Sequence, residues 1–92
     1  MTIAAITKIV IDEIDVLSDF NAQQISALYS PPEADPKLSK FMSASLKPFL
    51  ATNLKRKMRF IKSTDLTNKL FTTVTTIHQL VQTVKSYDKS DT

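Results

Sequence analysis

Apolar residues recur along this chain at steps of three and four, the period of a helix and not of a strand. In residues 2–20, Ile3, Ile6, Val10, Ile14 and Leu17 fall on one face with Asp12, Asp15 and Asp19 largely between them, which predicts a first amphipathic helix. A short second helix follows, with Ala22, Ile25, Leu28 and Tyr29 on a common face and Asn21 as its cap. It has to stop before Ser30-Pro31-Pro32, because a residue preceding proline is pushed out of the helical region. Residues 30–35 read as a loop, and Asp35-Pro36 then reads as an N-cap with proline at the first helical position, where its missing N–H is no loss.

A third helix is predicted over residues 36–57, burying Leu38, Phe41, Met42, Leu46, Phe49, Leu50 and Leu54. Pro48 lies inside that run, so a kink between Ala44 and Pro48, or a break into two shorter helices, is expected. The fourth helix should open at Ser63 or Thr64 with Asp65 in its first turn, run to about Tyr87, and bury Leu66, Leu70, Val74, Ile77, Val81 and Val84. Within it, Phe71-Thr-Thr-Val74-Thr-Thr-Ile77 is rich in residues that favour strands. The spacing of three between Phe71, Val74 and Ile77 argues for helix even here, held by packing and not by intrinsic preference. The link at residues 58–62 is short enough to force an antiparallel pair. The fold expected is all-α, an antiparallel up-down four-helix bundle with a short second helix, formed by a single domain over residues 1–92 with a disordered tail at 88–92.

Composition narrows the function. The chain has 92 residues with no cysteine and no glycine, which removes disulfides, thiolate metal sites and the Gly-rich loops that cradle phosphates. No stretch is apolar for the ~20 residues of a membrane span, and the start lacks the basic region and cleavage site of a signal peptide, so a cytoplasmic protein is expected. Catalysis has one histidine, His78, to draw on, and it lies at the edge of the last helical stripe without a visible partner. Asp12, Glu13, Asp15 and Asp19 lie on the polar side of the first helix without inward Glu-x-x-His pairs, and read as a solvated face and not as a metal site. No enzyme activity, cofactor, metal or small-molecule substrate is expected.

Net charge is +3, yet residues 1–36 hold six acids against Lys8 alone, while residues 37–92 hold eleven bases against three acids. The two halves can attract each other inside the bundle, or the basic half can face an anionic partner. The densest local feature is Lys55-Arg56-Lys57-Met58-Arg59-Phe60-Ile61-Lys62. In one reading its bases complement the negative end of the third helix while Met58, Phe60 and Ile61 plug that end of the bundle. In the other, Lys55, Arg56, Lys57, Arg59, Phe60 and Lys62 form a contact surface for phosphate, anionic lipid or an acidic protein.

Taken in order, an acidic amphipathic first helix, a proline-bearing connection, a long helix, the junction Lys57-Met58-Arg59-Phe60, a polar cap and a Leu-rich last helix from Leu66 to Leu80 resemble the immunity proteins of class IIa (pediocin-like) bacteriocins. Members of that family tend to carry Lys, an aliphatic residue, a base and Phe before their final helix. The resemblance extends loosely over residues 3–87. The tail at residues 86–92 departs from many members: it lacks the tryptophan and glycine often seen there and carries Asp88 and Asp91.

The resemblance implies a monomeric cytosolic four-helix bundle that protects a bacteriocin producer from its own toxin. Its partner would be the toxin-occupied mannose phosphotransferase permease, met at the inner face of the membrane, with peripheral membrane contact. Specificity would lie in residues 55–62 and on the exposed side of residues 72–91. The alternative is a small helical regulatory module that binds nucleic acid or a protein through the same basic patch, and a third reading is a scaffold that dimerises through an exposed apolar stripe. Whatever the function, Val74→Asp should bury an unpaired charge and abolish the cooperative thermal transition, whereas Asp15→Ala, on the expected solvated face, should leave it almost unchanged.

Overall fold

The computed structural model describes residues 1–29 and 34–89. Most of the expected loop at 30–35 and the tail from residue 90 onward lie outside the described residues. Five α-helices are present among them: α1 (Ile3–Leu17), α2 (Ala22–Leu28), α3 (Lys47–Lys57), α4 (Ser63–Thr72) and α5 (Ile77–Tyr87). The all-helical class is therefore as the sequence implies, and none of these helices is long and apolar enough to cross a membrane. The radius of gyration, 12.0 Å, matches the ~12 Å of one compact domain of this length.

The first two helices follow their sequence signals closely. Thr2 caps α1 through Ala5 N–H, and Ile6, Val10 and Ile14 are fully buried, while Ile3 at the open end of the stripe is 40 % exposed. Asn21 caps α2 in a reciprocal capping box with Gln24. Asp15 departs from the expected solvated face: its carboxylate accepts the Ala22 N–H at 3.1 Å and so ties the end of α1 to the start of α2.

The third predicted helix forms only in its second half. Residues Leu38–Lys40 and Ala44–Leu46 are single 3₁₀ turns, and Pro48 sits at the start of α3 and not in the middle of a longer helix. A proline in the first turn needs no N–H donor, so the chain accommodates Pro48 by beginning the α-helix there, with neither a kink nor a second α-helix. The expected core residues survive the change, since Leu38, Phe41, Met42, Leu50 and Leu54 are all buried. Phe49 does not: with α3 starting at Lys47 its inward stripe is Leu50, Ala51 and Leu54, and Phe49 is left 60 % exposed.

The fourth predicted helix is two helices. The Thr73 and Val74 N–H groups both donate to the Lys69 carbonyl, at 2.9 and 2.8 Å, and α4 ends. Thr76 is extended and caps α5 in a second capping box with Gln79. Between the helices the chain pairs briefly with the segment before the first 3₁₀ turn: Leu38 N–H donates to Thr75 O at 2.8 Å and Ile77 N–H to Pro36 O at 3.2 Å, an isolated antiparallel bridge. Asp35 then accepts the His78 N–H at 2.8 Å, capping α5 from 43 residues away instead of opening a helix at Pro36. The strand preference of the threonine run is thus expressed, but over a single bridge. Leu66, Leu70, Val74, Ile77, Val81 and Val84 are all buried as the stripe predicts, whereas Phe71 is 52 % exposed.

α1 occupies the centre, packing against α2, α3 and α5, while α3 packs against α4. Lys47 joins that last pair by donating to Leu70 O at 2.8 Å, where the end of α4 leaves carbonyls without helical partners. Asp88, just past α5, is buried and paired with the Met1 ammonium, and Lys85 donates to Met1 O at 2.7 Å. The bond from Ala22 reverses the expectation for Asp15: Asp15→Ala, like Asp35→Ala, should lower stability by about 1 kcal/mol, the usual cost of losing a helix cap, in chemical denaturation. An exposed acid such as Asp19 changed to alanine should not.

Candidate functional site

The basic junction is built by packing. α3 runs out at Lys57, and Met58 takes an extended conformation while its N–H still reaches the Leu54 carbonyl at 2.8 Å. A turn closed by Ile61 N–H to Met58 O, 3.1 Å, brings the chain round to Ser63 and α4. Met58 and Ile61 are 2 % and 1 % exposed, and Phe60 is half-buried against the same core. Because those three side chains are drawn inward, Arg59 and Lys62 are turned out, next to Lys55, Arg56 and Lys57 on the last turn of α3. The plug of the first reading is therefore in place, and it leaves the bases at the surface.

The electrostatics leave these charges available. Three bases in the last turn of α3 complement the partial negative charge of its C-terminus. Among the described residues none of Lys55, Arg56, Lys57, Arg59 and Lys62 forms an ion pair, and Arg56 has only a long contact, 3.5 Å, to the Asn53 side chain. Thr52, Lys55, Arg56 and Arg59 line an open hollow of about 510 Å³. Phe60, grouped with the bases on sequence, belongs mainly to the core.

The carboxylate nearest in sequence is already engaged. Asp65 accepts a hydrogen bond from the Tyr87 hydroxyl and an ion pair from Lys69 at 3.2 Å, and the Lys69 ammonium lies 5.1 Å from the centre of the Tyr87 ring. The Tyr87 hydrogen bond, then that of Lys69, holds the Asp65 carboxyl below its ordinary range, with the charges of Lys69 and Lys62 acting in the same direction. Burial, then the bond to Asp65, pushes the Tyr87 phenol up, and the hydrogen bond to Asp65 pushes Lys69 up.

A second concavity, about 600 Å³ and open, lies between α1 and α2. Its lining is mostly apolar, including Ile3, Thr7, Ile11, Ala22 and Tyr29, with His78 at one edge and the Lys8–Asp12 ion pair, 3.0 Å, on its rim. It adjoins Tyr29, where the described chain stops before resuming at Ala34. Sequence reasoning gave no hint of it, since it arises from how α2 leans on α1. Among the described residues no three histidines or carboxylates come together as metal ligands.

No protein-family model, curated protein or solved structure matches this chain. The cluster beside the junction carries its own test. The lowered Asp65 contributes stability that is present above the unfolded value of about 4 and is lost as pH falls through its folded value. The raised Tyr87 and Lys69 contribute stability present below about pH 10 and lost as pH rises through theirs. In thermal melts the gap between this protein and its Asp65→Asn variant should be flat from about pH 5 to 9 and close towards pH 2. A gap that persists undiminished in acid would contradict the assignment.

Proposed function

We propose that this chain is a non-enzymatic immunity protein that protects a bacteriocin-producing bacterium from a pediocin-like toxin. It binds the toxin-occupied permease in the membrane from the cytosolic side, as a monomer. In this reading the fold is an antiparallel up-down bundle in which α4 and α5 together take the place of a fourth helix.

The observation that carries the reading is the junction Lys57-Met58-Arg59-Phe60: its apolar members are anchored in the core and its charged members stand unpaired, among the described residues, on the surface. The buried Met58 and the half-buried Phe60 fix the segment in place while its bases form no ion pair among the described residues, an arrangement suited to a contact surface. Its bases suit a partner lying against the negatively charged inner leaflet.

Expression of the chain in a bacterium sensitive to pediocin-like toxins, challenged with a panel of them, should give survival against one or a few and not against the rest. Reversing Lys55, Arg56, Lys57, Arg59 and Lys62 to glutamate should remove that survival while far-ultraviolet circular dichroism stays the same. Unreduced killing by every toxin, with the protein folded and abundant, would refute the reading.

A further inference from the structure

We infer that the outward face of α3 is an anionic-lipid docking surface, in which Phe49 enters the interfacial layer of the bilayer and Arg56, Arg59 and Lys55 hold lipid phosphates. This rests on the proposed function for the membrane that the protein meets, and on geometry for its chemistry. Counting 100° per residue from the buried stripe of Leu50, Ala51 and Leu54, the strip pointing directly away from the core is Phe49, Thr52 and Arg56. Lys55 and Lys57 flank it on either side. Phe49 and Arg56 are two turns apart, about 10 Å along the axis.

The aromatic end of the strip is firmly mounted. Lys47, two residues before Phe49 and on the other side of α3, is pinned by its bond to Leu70 O, and its ammonium lies 5.2 Å from the centre of the Phe71 ring, which fixes the start of α3 against the end of α4. The exposed rings of Phe49 and Phe71, at 60 % and 52 %, therefore belong to the same end of the α3–α4 pair. A single exposed phenylalanine is ordinary, but Phe49 shares its strip with Arg56, and Lys55 and Arg59 adjoin that strip without an ion pair among the described residues, so apolar and basic groups stand on one outward face.

The basic end fits phosphate. The hollow framed by Thr52, Lys55, Arg56 and Arg59 offers a hydroxyl, an ammonium and two guanidinium groups, the donors that lipid phosphates accept. α1, which carries Asp12, Glu13 and Asp15, packs against the inward side of α3, while α3 itself carries bases and no acid, so an anionic surface is attracted to its outward face. The ring of Phe49 favours lipid over a nucleic-acid duplex as occupant. It has no polar tip, and it offers apolar area that hydrocarbon accepts and a duplex phosphate backbone does not.

The test is flotation of the full chain with vesicles of equal parts phosphatidylglycerol and phosphatidylcholine, against phosphatidylcholine alone, at low and at high salt. The protein should partition onto the anionic vesicles at least ~10-fold more strongly than onto neutral ones, and lose that advantage in high salt. Phe49→Ser should weaken partitioning about tenfold by removing buried apolar area, and Arg56→Glu with Arg59→Glu should abolish it. The melting temperature of Phe49→Ser should be almost unchanged, because the ring is exposed, and that of the double arginine variant should fall by only a few degrees, because Arg56 faces the α3 C-terminus; both variants should remain folded.

No partitioning at low salt, or partitioning indifferent to Phe49→Ser, would overturn the inference. So would tighter binding to a DNA duplex than to anionic vesicles that is unaffected by Phe49→Ser. Protection of cells without vesicle binding would defeat this inference alone. Vesicle binding without protection would leave it standing and defeat only the proposed function.

Discussion

The fold turns on a few hydrogen bonds between residues 35–38 and residues 75–78. Without them, a hydrophobic stripe that runs unbroken from Leu66 to Val84 would be satisfied by one long helix. With them, the chain gives up helical bonding over residues 73–76 and gains the bridge from Leu38 to Thr75, the bond from Ile77 to Pro36 and the Asp35 cap on α5. Three threonines in this stretch, Thr73, Thr75 and Thr76, lower the cost of the exchange, because they lose side-chain freedom in a helix and little in an extended segment. α5 is thereby set as a separate element against α1, while α4 stays with α3.

That exchange also explains which parts of the structure were legible in the sequence. Burial was: the stripes on α1, α4 and α5 and most of that around α3 are where the period puts them. Hydrogen bonding was not, because apolar spacing records which side chains face inward and is almost blind to whether the backbone between them is α-helix, 3₁₀ turn or a one-pair bridge. Asp35 shows the limit well. Its character as a cap is plain from its type and from the proline after it, yet the helix it caps is α5, and no local pattern contains that. Asp15 fails in the same way, as a residue with a visible charge and an invisible partner.

The candidate site was legible by position and only half legible in form. The density of bases in residues 55–62 marks the place, and the three apolar residues among them predict the plug. The exposure of Phe49 was hidden by the error in helix length. On a helix begun at Pro36 that residue falls in the middle of the apolar stripe, and on one begun at Lys47 it falls outside. A proline twelve residues into a supposed helix was the available signal, since proline is far more comfortable at a helix start than in its interior.

The bridge at residues 36–38 also bears on how the molecule comes into being on the ribosome. α1 and α2 are local structures that can begin to form as soon as their residues emerge. The segment from Asp35 to Leu38, by contrast, is synthesised long before residues 75–78 exist, and its backbone groups have only water to bond until then. The middle of this chain is therefore settled by its end. Closing that long loop, like the docking of α5 on α1, is a non-local step that has to wait for the last residues to appear.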